Sequence, residues 1–225
     1  MNLDSVTGKN WILKKFNEED ITYLKDNYYL DDITSRLLAI RKIKKDEVEN
    51  YLNPSIKNIL PNPLLLKDMD LAVKRSVKAI QKKEKIGIFG DYDVDGATST
   101  ALLGQYFKKI NQDFEIYIPD RKTEGYGPNK KGFQSLIEKN VRLIFTVDCG
   151  TMAFESVDFA QKQDVDVLIL DHHQSETILP KAYSIINPNR LDDKSHLNYL
   201  CAAGVCFMFL IALNKELREN NWFID

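Results

Sequence analysis

The chain's 225 residues are 44% hydrophobic and 28% charged, with a formal net charge of −2, an ordinary soluble composition with apolar material for one sizeable core and an appendage. No run within Met1 to Phe16 resembles a signal peptide, the apolar run Leu200 to Leu213 is too short to span a bilayer, and three cysteines (149, 201, 206) give no disulfide framework. These exclusions leave a cytoplasmic location and no membrane partner as the expectation, while the near-neutral charge neither advertises nor excludes nucleic acid.

From Trp11 to about Asn58 apolar residues recur at three and four, predicting short helices over Glu18 to Asn27, Asp32 to Ala39 and Asp46 to Leu52, with Asp32 or Asp46 as caps. The basic run Arg41 to Lys45 is read as a solvated helix end in preference to a phosphate contact. Asn53-Pro54 and Pro61-Asn62-Pro63 break the chain. Asp68 to Lys82 is a further amphipathic helix, with Leu71, Val73, Val77 and Ile80 as inner positions, and a domain boundary is placed near 75/76.

Beyond Lys85 short apolar runs alternate with longer periodic segments, the pattern of an α/β fold with a parallel sheet and crossover helices. Strands are expected at Ile86 to Gly90, Phe114 to Ile118, Arg142 to Val147, Val165 to Leu170 and Tyr183 to Ile186. Helices are expected at Ala97 to Ile110, Asn129 to Lys139, Ala153 to Gln163 and Leu197 to Leu217. Asp91, Asp120, Asp148 and Asp171 each follow the end of a strand, so right-handed crossovers bring all four to the sheet edge where open α/β sheets bind ligands. Any one of them alone could be a turn or cap residue.

Asp91, Asp93 and Asp95 stand at alternate positions, and carboxylates this close repel unless a cation lies among them. Asp171-His172-His173 adds imidazole, a mixture that suits manganese, zinc or iron better than calcium. Asp91 to Gly96 also matches the first half of a calcium-binding EF-hand loop. That reading fails because the twelfth place is Leu102 and the preceding segment is strand-like. Gly96 is instead read as a tight turn into a helix whose first turn, with Thr98, Ser99 and Thr100, offers free amides to a phosphate.

Gly90-Asp91-Tyr92-Asp93-Val94-Asp95-Gly96, Arg121 with Glu124 to Gly127, Val147-Asp148-Cys149-Gly150 and Asp171-His172-His173 together resemble the DHH phosphoesterase superfamily. Within it, their order is similar to that of RecJ-type single-strand-specific exonucleases. The upstream Trp11, Tyr51 to Pro54 and Pro63 to Met69 resemble the same group, as does Ile186-Asn187-Pro188-Asn189. The resemblance implies a two-metal phosphodiesterase, usually manganese-dependent with magnesium as an alternative, that removes 5′-mononucleotides from single-stranded DNA in repair and recombination. Single-stranded DNA is the implied partner, with a single-strand-binding protein as a second. Residues 1–75 would be a helical lead-in and 76–225 a DHH catalytic core.

Carried over, Asp91, Asp93, Asp95, Asp148 and His172 would be metal ligands, with Asp148 bridging and the direct ligands within the first trio left open. Asp171 would orient a histidine, and His173 would face the scissile phosphate. The family's usual His would stand where this chain has Phe89, and Asp91 is expected to substitute for it. Arg121 is the expected phosphate contact, with an ion pair to Asp120 or Glu124 as the alternative. Tyr126 is read equally as a base-stacking or a packing residue, and Cys149 as a small buried residue in preference to a nucleophile. RecJ-like proteins carry a further acidic ligand, a second domain and an oligonucleotide-binding fold beyond the long apolar helix. The chain therefore reads as a core whose carboxyl-terminal part is missing, with weak or no activity as the expectation. Two rival functions share the motifs: another DHH hydrolase of short oligonucleotides or cyclic dinucleotides, and a non-catalytic scaffold.

Overall fold

A computed structural model describes residues 2–4 and 6–223, in two compact units divided between Pro61 and Asn62. In the first unit, β1 (Asn2–Asp4) and β2 (Asn10–Ile12) pair antiparallel, with Leu3 opposite Trp11. Trp11 thus lies in a strand where a helical pattern was expected. α1 (Glu18–Tyr28) starts at Asn17, whose side chain accepts from the Glu19 amide, and stops where Tyr29 turns left-handed at φ 54°. The cap of α2 (Asp32–Ile40) is Asp31, which accepts from the Thr34 amide; Asp32 instead pairs with Lys25 and Arg36. α3 (Val48–Leu52) has no side-chain cap, so Asp46 does not serve as one, and α4 (Ile56–Ile59) is a single turn. Leu24, Leu38 and Val48 form the small core that these helices share.

The second unit opens with a 3₁₀ turn, Pro63–Leu65, and α5 (Met69–Gln81). It continues β3 (Lys85–Gly90), α6 (Val94–Lys109), β4 (Phe114–Tyr117), α7 (Lys130–Glu138) and β5 (Val141–Val147). α8 (Phe154–Gln161), β6 (Asp166–Leu170), β7 (Ser184–Ile186) and α9 (Ala202–Glu219) complete it. The unit begins earlier than the break near 75/76, because Met69, Ala72, Val73, Val77 and Ile80 of α5 pack into the sheet's own core. Leu71, expected inward, is exposed.

The five strands run parallel in the order β4-β3-β5-β6-β7. Burial on both faces explains why β3, β5, β6 and β7 read mainly as apolar runs instead of alternating ones, while the edge strand β4 is only partly buried. Ile86, Ile88, Phe145 and Leu168 face a core shared with α5, α6 and α9, whereas Phe89, Ile144, Val167 and Ile169 face one shared with Phe133 of α7 and Val157 of α8. From β3 the chain steps outward to β4, then crosses back to β5 on the other side. The reversal leaves a crevice beyond the carboxyl ends of β3 and β5, the place where such sheets bind ligands.

Candidate metal centre

Asp91 follows β3 and Asp148 follows β5, so these two carboxylates flank that crevice, and they are 3% and 1% exposed. Asp91 accepts from the Tyr92 amide at 2.7 Å. Asp93 caps α6 by accepting from the Gly96 amide at 2.9 Å. Gly96 lies inside the first turn of α6, not in a turn before it, and a Cβ there would sit 2.6 Å from both Cβ and the carbonyl oxygen of Asp91. Its lack of a side chain is what lets the helix close on the acid loop.

Asp148 has left-handed backbone, φ 60°, and its amide donates to Leu170 O at 3.0 Å. Both its carboxylate oxygens are buried without a hydrogen-bond partner. Burial, and then the charge of Asp95, pushes its carboxyl up to about 8. A buried carboxylate without donors is costly. A divalent cation fits that gap: one oxygen each from Asp91, Asp93 and Asp148 lie within 4.8 Å of one another, and Asp148, His172 and His173 form a second such set. Asp148 belongs to both.

Asp171 is buried at the end of β6 and does not join either set. Its Oδ1 lies 2.7 Å from His173 Nδ1 and accepts from the His172 amide, while its Oδ2 accepts from the hydroxyl and amide of Thr151. Burial alone would raise its carboxyl, but the His173 and Thr151 bonds prevail and hold it at about 2. The same bond to Asp171 raises His173.

Several sequence expectations need revision. Asp95 was expected among the ligands, but its two oxygens accept from the Ala202 and Ala203 amides, both at 2.8 Å, at the free N-terminus of α9. One of those oxygens, Oδ2, also lies 3.5 Å from His172 Nε2. Thr98 lies in the second turn of α6, because the helix starts three residues earlier than expected, and its hydroxyl donates to Val94 O. Its amide is therefore not a free phosphate donor. Asp120, the acid after β4, is exposed and accepts from the Lys122 and Thr123 amides within its own turn, so three strand-end acids converge and not four. Arg121 sits 5.2 Å over the Tyr92 ring, and neither expected ion pair, to Asp120 or to Glu124, forms among the described residues.

The Tyr126 hydroxyl donates to Asp148 O at 3.1 Å, and its half-exposed ring meets His173 edge-on at 5.8 Å. Phe89 is buried against Tyr117 and Phe133, on the side of the sheet away from α6. Cys149 is fully buried, which raises its thiol well above the usual range. A cavity of about 280 Å³ opens beside His173, lined by Tyr126, Pro128, Thr151, Met152 and Gln174. Thr151, Asn187 and Asn189, all bonded around the histidine pair, carried no role in the sequence reading. A polar residue immediately after the buried strand β7 was the available signal.

The description "DHH family, N-terminal domain" matches residues 85–223. The chain belongs to the DHH family. Among curated relatives in that family, the single-stranded-DNA-specific exonuclease RecJ of Bacillus subtilis is 32% identical over 93% of this chain and 27% of its own length. The RecJ of Haemophilus influenzae is 37% identical over 84% of this chain and 33% of its own. The chain thus spans about a third or less of these relatives' length. A crystal structure of exonuclease RecJ bound to manganese superposes with a TM-score of 0.62 at 30% identity, covering 68% of this chain and 38% of that one. RecJ from Thermus thermophilus in complex with Mn²⁺ shares the fold, with a TM-score of 0.73 at 23% identity over 91% of this chain and 28% of that one. This DHH-family chain is therefore related to RecJ, with an α/β core and a helical amino-terminal segment. Among the described residues, no helix is long and apolar enough to cross a membrane.

Proposed function

We propose that this chain carries the catalytic core of a RecJ-like exonuclease that hydrolyses single-stranded DNA from its 5′ end and releases 5′-mononucleotides, with two manganese or magnesium ions. The observation that carries the reading is Asp148, whose two buried, unpartnered oxygens belong at once to a carboxylate set and to a histidine set. Asp91, Asp93 and Asp148 would hold one ion, and Asp148, His172 and His173 the other. Bound ions would supply Lewis acidity toward the phosphodiester and lower the pKa of the attacking water.

The chain's own residues would do the rest. Asp171 fixes the ring of His173, and the Tyr126 hydroxyl fixes the Asp148 carbonyl. Asp95 keeps α9 seated against the back of the site. The cavity beside His173 offers room for the reacting end of the strand, and Arg121, which lies over the Tyr92 ring and is felt by the Asp91 carboxylate, supplies a cation for its phosphates. The test is manganese-dependent release of mononucleotides from a 5′-phosphorylated single strand, with a blunt duplex and the Asp148→Ala variant as controls. Release from the single strand alone, lost in the variant, supports the reading. Equal release by the variant overturns it, and a panel including cyclic dinucleotides separates the other DHH hydrolases.

A further inference from the structure

Asn187, the residue that follows β7, is fully buried. Its amide orientation is forced by its neighbours. Nδ2 lies 2.9 Å from the His173 carbonyl, which can only accept, and Oδ1 lies 2.8 Å from the Asn189 backbone amide, which can only donate. Nδ2 therefore also donates to Thr151 Oγ1, 2.8 Å away. The Thr151 hydroxyl has one proton, and with Asn187 donating to its oxygen that proton goes to Asp171 Oδ2 at 2.6 Å. Asp171 then accepts from the Thr151 amide and hydroxyl on Oδ2, and from the His172 and His173 amides on Oδ1. Such a carboxylate is an acceptor only, so His173 Nδ1, 2.7 Å from Oδ1, must be the donor.

We infer that Asn187 and Thr151 are positioning residues that fix His173 as its Nδ1–H tautomer and leave the Nε2 lone pair available, since the Tyr126 hydroxyl, 3.3 Å from Nδ1 and 3.5 Å from Nε2, has its one proton on Asp148 O. Asn187 sets the direction of the Thr151 hydroxyl, and Asp171 accepts both from that hydroxyl and from His173 Nδ1. Asn189 adds to the hold by donating to the His172 carbonyl, so the loop after β7 grips both histidines of the neighbouring loop after β6. The inference rests on the proposed metal site for its affinity readout, while the tautomer readout stands without it.

Four variants of the full chain test this. Asn187→Asp keeps the shape but turns the donating amide into an acceptor that competes for the Thr151 proton. Asn187→Ala removes the side chain yet leaves Thr151 free to donate to Asp171. Thr151→Val breaks the chain, and Thr151→Ser keeps it. The ring nitrogens of His173 are followed by long-range ¹H–¹⁵N spectra in metal-free buffer, with the pH raised until the spectra report a neutral imidazole. Manganese affinity is measured by titration.

The expected result is an Nδ1–H signature in the parent chain and Thr151→Ser, and mixed tautomers in Thr151→Val and Asn187→Asp. Manganese affinity should fall about tenfold or more in those last two, and less in Asn187→Ala. A role limited to filling space reverses the order, with Asn187→Ala worst and Asn187→Asp close to the parent, and that result overturns the inference. So does an Nε2–H signature in the parent. A parent that binds no manganese defeats the proposed metal site, and the spectra still decide the tautomer. Circular dichroism checks folding, and should Asn187→Asp not fold, the Thr151 pair decides alone.

Discussion

Asp120 and Asp148 both follow a strand of the same sheet, yet they live in opposite surroundings. The first, beyond the edge strand β4, is exposed and satisfied by the Lys122 and Thr123 amides of its own turn, which lower its carboxyl. The second, beside the strand-order reversal, is 1% exposed, and neither oxygen is hydrogen-bonded, with the His172 ring nitrogen Nε2 facing Oδ1 from 3.3 Å. The difference teaches that a strand-end acid becomes a ligand candidate through its place in the strand order. Sequence position alone does not distinguish the two.

The sharpest way to break that contrast is Asp148→Asn, which keeps the left-handed backbone accessible while removing the charge. Manganese binding should fall at least a hundredfold by calorimetric titration. Chemical denaturation of metal-free protein should show the variant more stable by about 1–3 kcal/mol, since an unpartnered buried carboxylate is removed. Equal stability would mean that the carboxylate is not strained in the metal-free state.

Next in size is Gly96→Ala, whose added carbon meets Asp91 backbone at 2.6 Å. It should cost about 1–3 kcal/mol of stability and weaken metal binding. Gly104→Ala on the same helix, 3.4 Å from the Phe114 ring, is the milder control. Asp120→Ala should leave manganese affinity unchanged and lower the melting temperature slightly; a loss of affinity would return it to the site.

The smallest effect belongs to a satisfied acid, Asp192. Hydrogen bonds from Arg190 and then Lys67 hold it at about 2. Its folded value lies below the unfolded one of about 3.9, so its contribution is present above that value and is lost as pH falls from about 4 toward 2. Because its side chain is about half exposed, solvent screening keeps the effect small. Urea unfolding of Asp192→Asn should therefore differ slightly from the parent at pH 6 and converge with it as pH falls toward 2.

The sheet was legible because most of its strands, β3, β5, β6 and β7, are buried on both faces and stand out as apolar runs such as Arg142 to Val147. Asp91, Asp148 and Asp171 were legible as the residues on which those runs end. The fate of Asp95 and Thr98 was not, because it turns on the start of α6, and helix starts are set by the Asp93 cap and not by the apolar period. The β1/β2 pair escaped because three-residue strands are too short to show alternation. Asn187 escaped for a different reason: its importance lies in two acceptors, His173 O and Thr151 Oγ1, that are distant in sequence.

The bond from Asp95 to the first two amides of α9 has a practical consequence. Ala202 and Ala203 sit where helix amides are normally open to water and exchange their protons quickly, yet here both are held by one carboxylate that borders His172. Deuterium uptake at these two positions should be slow in the intact chain and fast in Asp95→Ala. The start of the last helix thereby becomes a built-in gauge of the order around the histidine pair, readable without substrate and without turnover.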